Sequence, residues 1–196
     1  MSGQLLYIIF AGINGAGKST LYRSGLWSVS EEERTLPRVN SDEIIVEHGW
    51  DWANPCHQIQ AGKEAVKRIK TLFDQRASFN QETTLSGHAI MRNIKLAKEL
   101  GYYVVLYYVG VEDPSIANAR IKHRAEIGGH YIDAATVEKR AAASMENLAE
   151  AIPLCDEVIL FDNTYGLTCV VRYRENKLEK FAFGRPVAWF EKIVFP

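Results

Sequence analysis

A glycine-rich segment near the N-terminus contains the residue types that bind phosphate. It reads Gly-Ile-Asn-Gly-Ala-Gly-Lys-Ser and satisfies the pattern G-x-x-x-x-G-K-[ST]. Glycines let the backbone turn tightly enough for successive N–H groups to face an anion. The Lys18 ammonium would lie between the outer phosphates, and the Ser19 hydroxyl would ligate Mg²⁺. The predicted nucleotide-binding residues are Gly12, Ile13, Asn14, Gly15, Ala16, Gly17, Lys18, Ser19 and Thr20.

Two carboxylates have the positions expected of groups that act on a phosphoryl acceptor. A kinase needs a group that orients the attacking hydroxyl and accepts its proton. Asp42 follows a short predicted strand, at the edge where open α/β sheets bind ligands, and is the predicted base. The alternative for Asp42 is a carboxylate that only favours the helix dipole.

Glu82 lies near the end of an otherwise buried predicted strand, where a carboxylate is costly without a partner. It is therefore predicted to contact Mg²⁺ through water or to hydrogen-bond the substrate. Thr83 and Thr84 are further predicted substrate contacts, and the alternative for them is that they only favour the strand.

Basic residues surround a second glycine-rich loop. Arg120, Arg124 and Arg140 lie on the two helices that flank it and are predicted to stabilise the charge of a transferring phosphoryl group. The alternative is that they are solvated surface groups. Gly128-Gly129 is predicted to form a mobile lid. His130 is predicted to contact the lid or the substrate rather than a metal, because no second ligand has metal-type spacing.

Alternating strands and helices are predicted to position these residues. The apolar patterns predict strands at residues 5–11, 37–40, 78–84, 102–109 and 158–161, and a β-hairpin at 168–173 and 178–183. They predict helices at residues 18–27, 55–76, 89–100, 114–125, 134–151 and 186–193, with Ser41 capping a further helix and residues 30–34 forming a polar connection. We expect a three-layer α/β fold with a mostly parallel central sheet. Residues 1–196 are predicted to form one domain, with a core at 1–163 and the hairpin and a short helix at 164–196.

Composition excludes several classes of partner. The chain of 196 residues is 47% hydrophobic and 24% charged with a net charge of −1, which gives no global electrostatic case for nucleic acid or an anionic membrane. No apolar run approaches the roughly 20 residues that a membrane span requires. Cys56, Cys155 and Cys169 have no disulfide or metal-type spacing. We therefore expect a cytoplasmic protein without a nucleic-acid or membrane partner.

Several motifs in this order resemble those of zeta-toxin-like kinases. They are the segment from Ala11 to Thr20, Asn40-Ser41-Asp42, the segment from Glu82 to Gly87, Tyr108-Val109-Gly110, Gly128-Gly129-His130, Ser144, Asn147-Leu148 and Phe161-Asp162-Asn163. The resemblance implies a P-loop kinase fold, ATP or GTP, Mg²⁺ and, in the toxins, an antitoxin partner. In characterised toxins the acceptor is a hydroxyl of UDP-N-acetylglucosamine.

The resemblance also implies roles for individual residues. Asp42 matches the catalytic base of the family, and Glu82 matches an acidic position near the substrate. Arg120, Arg124 and Arg140 are the available matches for the arginines that bind the transferred phosphate. The aromatic segment 48–55 and the tail after Asn163 depart from the toxin pattern.

The function predicted from these motifs is phosphoryl transfer from ATP or GTP to a small hydroxyl-bearing molecule. An antibiotic kinase of the chloramphenicol-phosphotransferase kind is a close alternative. A nucleotide-dependent switch that hydrolyses slowly is an alternative from another class. The switch would require a means of positioning water, for which the chain shows no candidate residue.

Overall fold

One sheet forms the centre of the molecule. The computed structural model describes residues 3–28, 30–126, 131–181, 186–191 and 193–196. Within these ranges the strands are β1 (Leu6–Ala11), β2 (Arg38–Val39), β3 (Phe79–Thr83), β4 (Tyr103–Gly110), β5 (Glu157–Asp162), β6 (Thr168–Arg174) and β7 (Lys177–Lys180). They pair in the order β2-β3-β1-β4-β5-β6-β7.

The direction of the strands confirms the predicted mostly parallel sheet and the C-terminal hairpin. Strands β1 to β5 run parallel to one another, whereas β6 pairs antiparallel with both β5 and β7. The chain runs from the central β1 to the edge strand β2 and later crosses to β4 on the other side. Ligands bind at such a switch point, beyond the carboxyl ends of the strands. In the register of β1 with β3, Phe10 pairs with Glu82.

Helices cover both faces of the sheet, which confirms the three layers. They are α1 (Lys18–Ser24), α2 (Glu31–Arg34), α3 (Ser41–Glu47), α4 (Pro55–Asp74), α5 (His88–Glu99), α6 (Pro114–Glu126), α7 (Ala134–Ala151) and α8 (Ala188–Glu191), with a 3₁₀ turn at Ile152–Leu154. Tyr7 and Ile9 of β1 belong to one apolar cluster, and Ile8 and Phe10 belong to the other. A strand buried on both faces needs apolar residues at consecutive positions, which explains the continuous run in β1. None of the helices in these described ranges combines the length and apolarity needed to cross a membrane.

Three local predictions were wrong. Helix α1 ends at Ser24 because Gly25 adopts a left-handed conformation with φ of 69° and closes the helix. The predicted polar connection at residues 30–34 contains the single-turn helix α2, which Ser30 caps by accepting a hydrogen bond from the Glu33 N–H.

The cap of α3 is the third correction. Ser41 is the first helical residue, and the extended Asn40 is the cap: its Oδ1 accepts a hydrogen bond from the Asp42 N–H at 2.9 Å. The cap therefore fixes the backbone of the residue that the sequence identifies as the catalytic base.

The C-terminal segment packs against the carboxyl edge of the sheet. The Trp189 ring lies so close to Gly110, the last residue of β4, that a Cβ there would overlap it. The Trp189 indole Nε1 donates a hydrogen bond to Asp162 Oδ1 at 2.9 Å, at the end of β5. These contacts join the tail to the two strands that end beside the glycine-rich loop.

Candidate functional site

The glycine-rich loop connects β1 to α1 and is pressed against neighbouring strands. Gly12 and Gly17 have φ values of 135° and 112°, which side-chain-bearing residues rarely adopt. A Cβ on Gly12 would overlap the carbonyl of Val109, and one on Gly17 would overlap the side-chain amide of Asn163. The glycines are therefore required by conformation and by space.

Polar contacts hold the loop from its far side. Asn163 donates from Nδ2 to the Ala16 carbonyl at 2.7 Å. Arg120 donates to the Asn163 carbonyl at 2.8 Å and approaches the Gly15 carbonyl at 3.5 Å. Its guanidinium thus binds backbone carbonyls of the loop and of the segment after β5, so Arg120 has the geometry of a group that positions the loop.

Lys18 is buried at the start of α1. Its ammonium donates to the Ile13 carbonyl at 3.1 Å, and Glu82 Oε1 lies 3.9 Å away. Burial lowers the pKa of Lys18, while the negative charges of Glu82 and Asp42 oppose that effect. Two carboxylates therefore favour the charged form of the ammonium in a desolvated position.

Glu82 is the centre of a buried polar network. The Ser19 Oγ lies 3.2 Å from each carboxylate oxygen of Glu82. A guanidinium nitrogen of Arg38 and the amide of Asn40 also donate to Glu82 Oε2. The register between β1 and β3 explains this position, because it pairs Glu82 with Phe10, next to the last residue of β1 before the loop.

Arg38 is one of the site residues that sequence reasoning missed. Its side chain is 8% exposed and donates to Glu43 Oε1 at 2.8 Å as well as to Glu82. The guanidinium carbon lies 3.6 Å from the centre of the Tyr22 ring, which is a cation–π geometry. A charged residue in a strand of a buried sheet was the available signal, and the same argument identified Glu82.

Two cavities adjoin at the loop. The loop cavity, of about 400 Å³, lies against Gly15, Gly17, Ser19, Thr20 and helix α6. The side cleft, of about 440 Å³, lies between α4, the start of α5 and the end of β3. Four residues line both: Asn14, Lys18, Asp42 and Glu82.

The predicted acceptor-side residues meet at the side cleft. Asp42 lies in the first turn of α3, and its exposed side chain borders both cavities. Thr83 and Thr84 line the side cleft. The Thr83 hydroxyl accepts from the Leu85 N–H at 3.1 Å, so part of its hydrogen-bonding capacity is used within the turn after β3.

Each of the other two predicted arginines lines one of the two cavities. Arg140 donates to Asn14 Oδ1 at 2.7 Å and lines the side cleft. Arg124 is exposed and lines the loop cavity. Both positive charges contribute to lowering the pKa of Lys18, after burial. The predicted contact His130, together with Gly128 and Gly129, lies outside the described residues.

The nine predicted nucleotide-binding residues have two kinds of position. Three of them are buried within the loop: Gly12, Ile13 and Ala16. The residues that line the loop cavity are Asn14, Gly15, Gly17, Lys18, Ser19 and Thr20. Trp52, from the aromatic segment that departs from the toxin pattern, lines the side cleft and was not assigned to the site from sequence.

The chain is similar to one protein by sequence and to several solved structures by fold. No family model matches the sequence. An uncharacterized protein of Haemophilus influenzae is 37% identical over 129 residues, which cover 64% of this chain and 84% of that protein.

Solved structures share the fold at low sequence identity. A chain of the PezAT chromosomal toxin–antitoxin system of Streptococcus pneumoniae superposes with a TM-score of 0.65 at 19% identity, over 90% of this chain and 75% of that chain. A chain of the AvrRxo1-ORF1:-ORF2 complex with ATP gives a TM-score of 0.74 at 17% identity. That match covers 99% of this chain but 64% of the other, so this chain spans less than two thirds of it. The chain belongs to the family of the Haemophilus influenzae protein, and it shares its fold with these chains of the PezAT system and of the AvrRxo1-ORF1:-ORF2 complex.

Proposed function

We propose that the chain transfers the γ-phosphoryl group of ATP or GTP to a hydroxyl of a small molecule. The observation that carries this proposal is the wall shared by the two cavities, which contains Lys18, Asp42 and Glu82. An ammonium and two carboxylates at that wall would lie where a donor phosphate in one cavity meets an acceptor in the other. Such positioning, with electrostatic stabilisation, is the main source of catalysis in phosphoryl transfer.

The loop cavity is the proposed nucleotide site. Backbone N–H groups of the loop and the positive end of α1 would hold the phosphates. The Lys18 ammonium would contact the outer phosphates, and Arg124 and Arg140 would balance the charge that develops during transfer. Arg120 would act indirectly, by holding the loop backbone through Gly15 and Asn163.

The oxygen donors at Ser19 and Glu82 fit a magnesium ion. Mg²⁺ prefers oxygen ligands and usually keeps several waters. Ser19 would ligate it directly and Glu82 would do so through water, since the two side chains lie 3.2 Å apart at the floor of the loop cavity. The bound ion supplies charge neutralisation for the phosphates.

Asp42 is the proposed base. Its carboxylate would accept the proton of the acceptor hydroxyl as that oxygen forms a bond to the γ-phosphorus. The bond between the γ-phosphorus and the β–γ bridging oxygen breaks, and the nucleoside diphosphate leaves with the electron pair. The α3 cap formed by Asn40 would fix the position of this carboxylate.

The test is a product assay. The purified chain is incubated with Mg-ATP or Mg-GTP and a panel of nucleotide sugars, sugars and other hydroxylated metabolites. The readouts are the release of ADP or GDP and the mass of each acceptor. Release of ADP or GDP together with an acceptor heavier by one phosphoryl group supports the proposal, whereas ADP or GDP release that is the same with and without every acceptor would identify an NTPase.

Finer parts of this proposal come from the family resemblance. The resemblance implies UDP-N-acetylglucosamine as the acceptor, with a chloramphenicol-type antibiotic as the alternative. It also implies an antitoxin-like protein as a partner. Fold likeness to a chain of the PezAT toxin–antitoxin system supports a partner. Growth of a bacterial host that expresses the wild-type chain or Asp42→Asn tests toxicity: arrest with the wild type alone supports it, and equal growth contradicts it.

A further inference from the structure

The side cleft is lined by apolar side chains together with neutral polar groups. Trp52 and Ile45 contribute to the apolar lining together with Ile69 of α4 and Ile90 of α5. The Trp52 carbonyl accepts a hydrogen bond from Gln58 Nε2 at 2.8 Å, which ties the aromatic segment to the start of α4. A flat aromatic ring beside branched aliphatic side chains suits a ligand with an apolar face.

The cleft lining also carries amides that a buried tyrosine orients. The Tyr7 hydroxyl, fully buried beneath the cleft, donates to Gln81 Oε1. Asn93 hydrogen-bonds the same hydroxyl, and burial raises the pKa of Tyr7, so this hydroxyl stays protonated. Gln81 and Asn93 both line the cleft. Their remaining amide donors and acceptors are therefore held in a fixed orientation by a group beneath them.

Charge is confined to one end of the cleft. The charged members of its described lining are Lys18, Asp42, Glu82 and Arg140. Lys18 and Glu82 lie against the loop, and Arg140 hydrogen-bonds Asn14 within it. Every positive charge in the described lining is thus at the end where the donor phosphates would bind.

From this distribution we infer that the acceptor is an uncharged, hydroxyl-rich molecule with an apolar face, such as an unphosphorylated sugar or glycoside. The inference rests on the proposed function, because that function makes the side cleft the acceptor site. Nucleotide sugars and sugar phosphates, which are anionic, are therefore disfavoured as acceptors. Gln81, Asn93 and Trp52 become the residues that determine specificity.

The physical reason is the cost of desolvating an anion. A phosphate moved from water into the neutral part of the cleft would lose hydration without gaining a cation. Neutral hydroxyls can instead donate to and accept from the amides of Gln81 and Asn93, because a primary amide carries both functions. The C–H face of a sugar ring would pack on Trp52, as apolar surfaces do on aromatic rings.

Matched ligand pairs test the inference by binding, without relying on turnover. Wild-type protein loaded with Mg²⁺ and a non-hydrolysable ATP analogue is titrated with N-acetylglucosamine, phenyl β-glucoside and myo-inositol. The anionic counterparts are UDP-N-acetylglucosamine, phenyl β-glucoside 6-phosphate and inositol 1-phosphate. Calorimetry is expected to show that a neutral member binds at least about tenfold more tightly than its anionic counterpart.

Two variant pairs locate the effect in the cleft. Trp52→Leu should lower the affinity for the neutral ligand that binds most tightly by about tenfold. Trp50→Leu, in the same segment but outside the cleft lining, should leave that affinity unchanged. Val66→Arg adds a cation at a position of the cleft that is 61% exposed, and it should shift the preference toward the anionic members. Val194→Arg, at a site that is 84% exposed in the tail, should leave the preference unchanged.

The outcomes separate the two proposals. Tighter binding of the anionic members, or binding of no neutral member, overturns the acceptor class. Neutral ligands that bind and depend on Trp52, but are never phosphorylated with ATP or GTP, would support the acceptor class and overturn the kinase function. If Val66→Arg and Val194→Arg changed the preference for neutral over anionic ligands by the same amount, the assignment of the ligand to this cleft would be overturned.

Discussion

The Ser19 hydroxyl lies 3.2 Å from both carboxylate oxygens of Glu82, a residue 63 positions later in the chain. The parallel pairing of β1 with β3 produces this contact, because Phe10 and Glu82 are register partners just before the loop begins. The loop that would bind phosphate and the carboxylate that would assist its metal are therefore positioned by the same strand pair. The side cleft begins on the other side of Glu82.

Asp42→Asn is expected to separate catalysis from binding. The amide cannot accept a proton from the acceptor hydroxyl, so the rate of phosphoryl transfer should fall by about 10²- to 10⁴-fold. The affinity for Mg-ATP should stay within about threefold, because Asp42 borders the loop cavity without belonging to the loop. Single-turnover assays measure the transfer rate, and calorimetry measures the affinity.

The control for this change is Asp74→Asn, at the exposed end of α4, which should alter neither quantity. Transfer by Asp42→Asn at the wild-type rate would remove Asp42 from the role of base. A large loss of nucleotide affinity would show that the carboxylate acts mainly on Lys18.

Lys18→Met is expected to lose nucleotide binding and gain stability. A hydrogen bond to a charged group contributes about 1.5–3 kcal/mol, so the affinity for Mg-ATP should fall by about 10- to 150-fold. Burial lowers the pKa of Lys18, which means that the folded state disfavours its charge. That unfavourable contribution is fully present below the folded-state pKa of Lys18 and is lost as pH rises from there toward the ordinary value of 10.5.

Replacing the ammonium by an apolar group should therefore raise the free energy of unfolding at neutral pH by about 1 kcal/mol. Glu82 keeps Arg38 as its partner in this variant. Urea unfolding without nucleotide measures the gain, with the exposed Lys63→Met on α4 as the control. A Lys18→Met variant that binds Mg-ATP normally would contradict the site.

Sequence reasoning found the parts of the site that depend on backbone geometry. The loop has a residue pattern dictated by turning and by anion binding, and β1 has a continuous apolar run because both of its faces are buried. Glu82 was identified because a carboxylate in a buried strand needs a partner. These patterns are local in the sequence, so they can be recognised without knowledge of the tertiary structure.

Residues whose contacts depend on long-range packing were identified only in part. Arg38 belongs to a strand of two residues, which is too short to show a period. Trp52 lies in a segment without regular structure, and only the packing of α4 and α5 makes it part of the cleft. Arg120 was assigned to the transferred phosphate, and its contacts with backbone carbonyls depend on how the segment after β5 approaches the loop.

Arg38→Lys is expected to weaken the fold and the metal site together. Arg38 donates to Glu43, Asn80 and Glu82 while its plane covers Tyr22, and a single ammonium cannot reproduce that fork. The free energy of unfolding should fall by about 2 kcal/mol. Because Glu82 would lose its fixed orientation, the Mg²⁺ concentration for half-maximal transfer should rise by about fivefold or more.

Urea unfolding and Mg²⁺ titration of the transfer rate measure these two effects. Arg174→Lys in the C-terminal hairpin is the control, since its partner Glu175 is exposed and adjacent in sequence. If Arg38→Lys needed no more Mg²⁺ than the wild type, Arg38 would be a structural residue alone.

The pH dependence of stability is expected to report on Cys155, between α7 and β5. Burial raises the pKa of the Cys155 thiol from 9.0 to about 12. Between these values the unfolded thiol has lost its proton and the folded thiol retains it, so the stability decreases as pH rises. The loss should reach about 1 kcal/mol between about pH 9 and about pH 10, before most tyrosines of the unfolded chain ionise. Cys155→Val should make this slope shallower, whereas Cys56→Val, at an exposed position, should leave it unchanged. Urea unfolding across that interval measures all three proteins, and parallel profiles for the wild type and Cys155→Val would show that the thiol does not contribute.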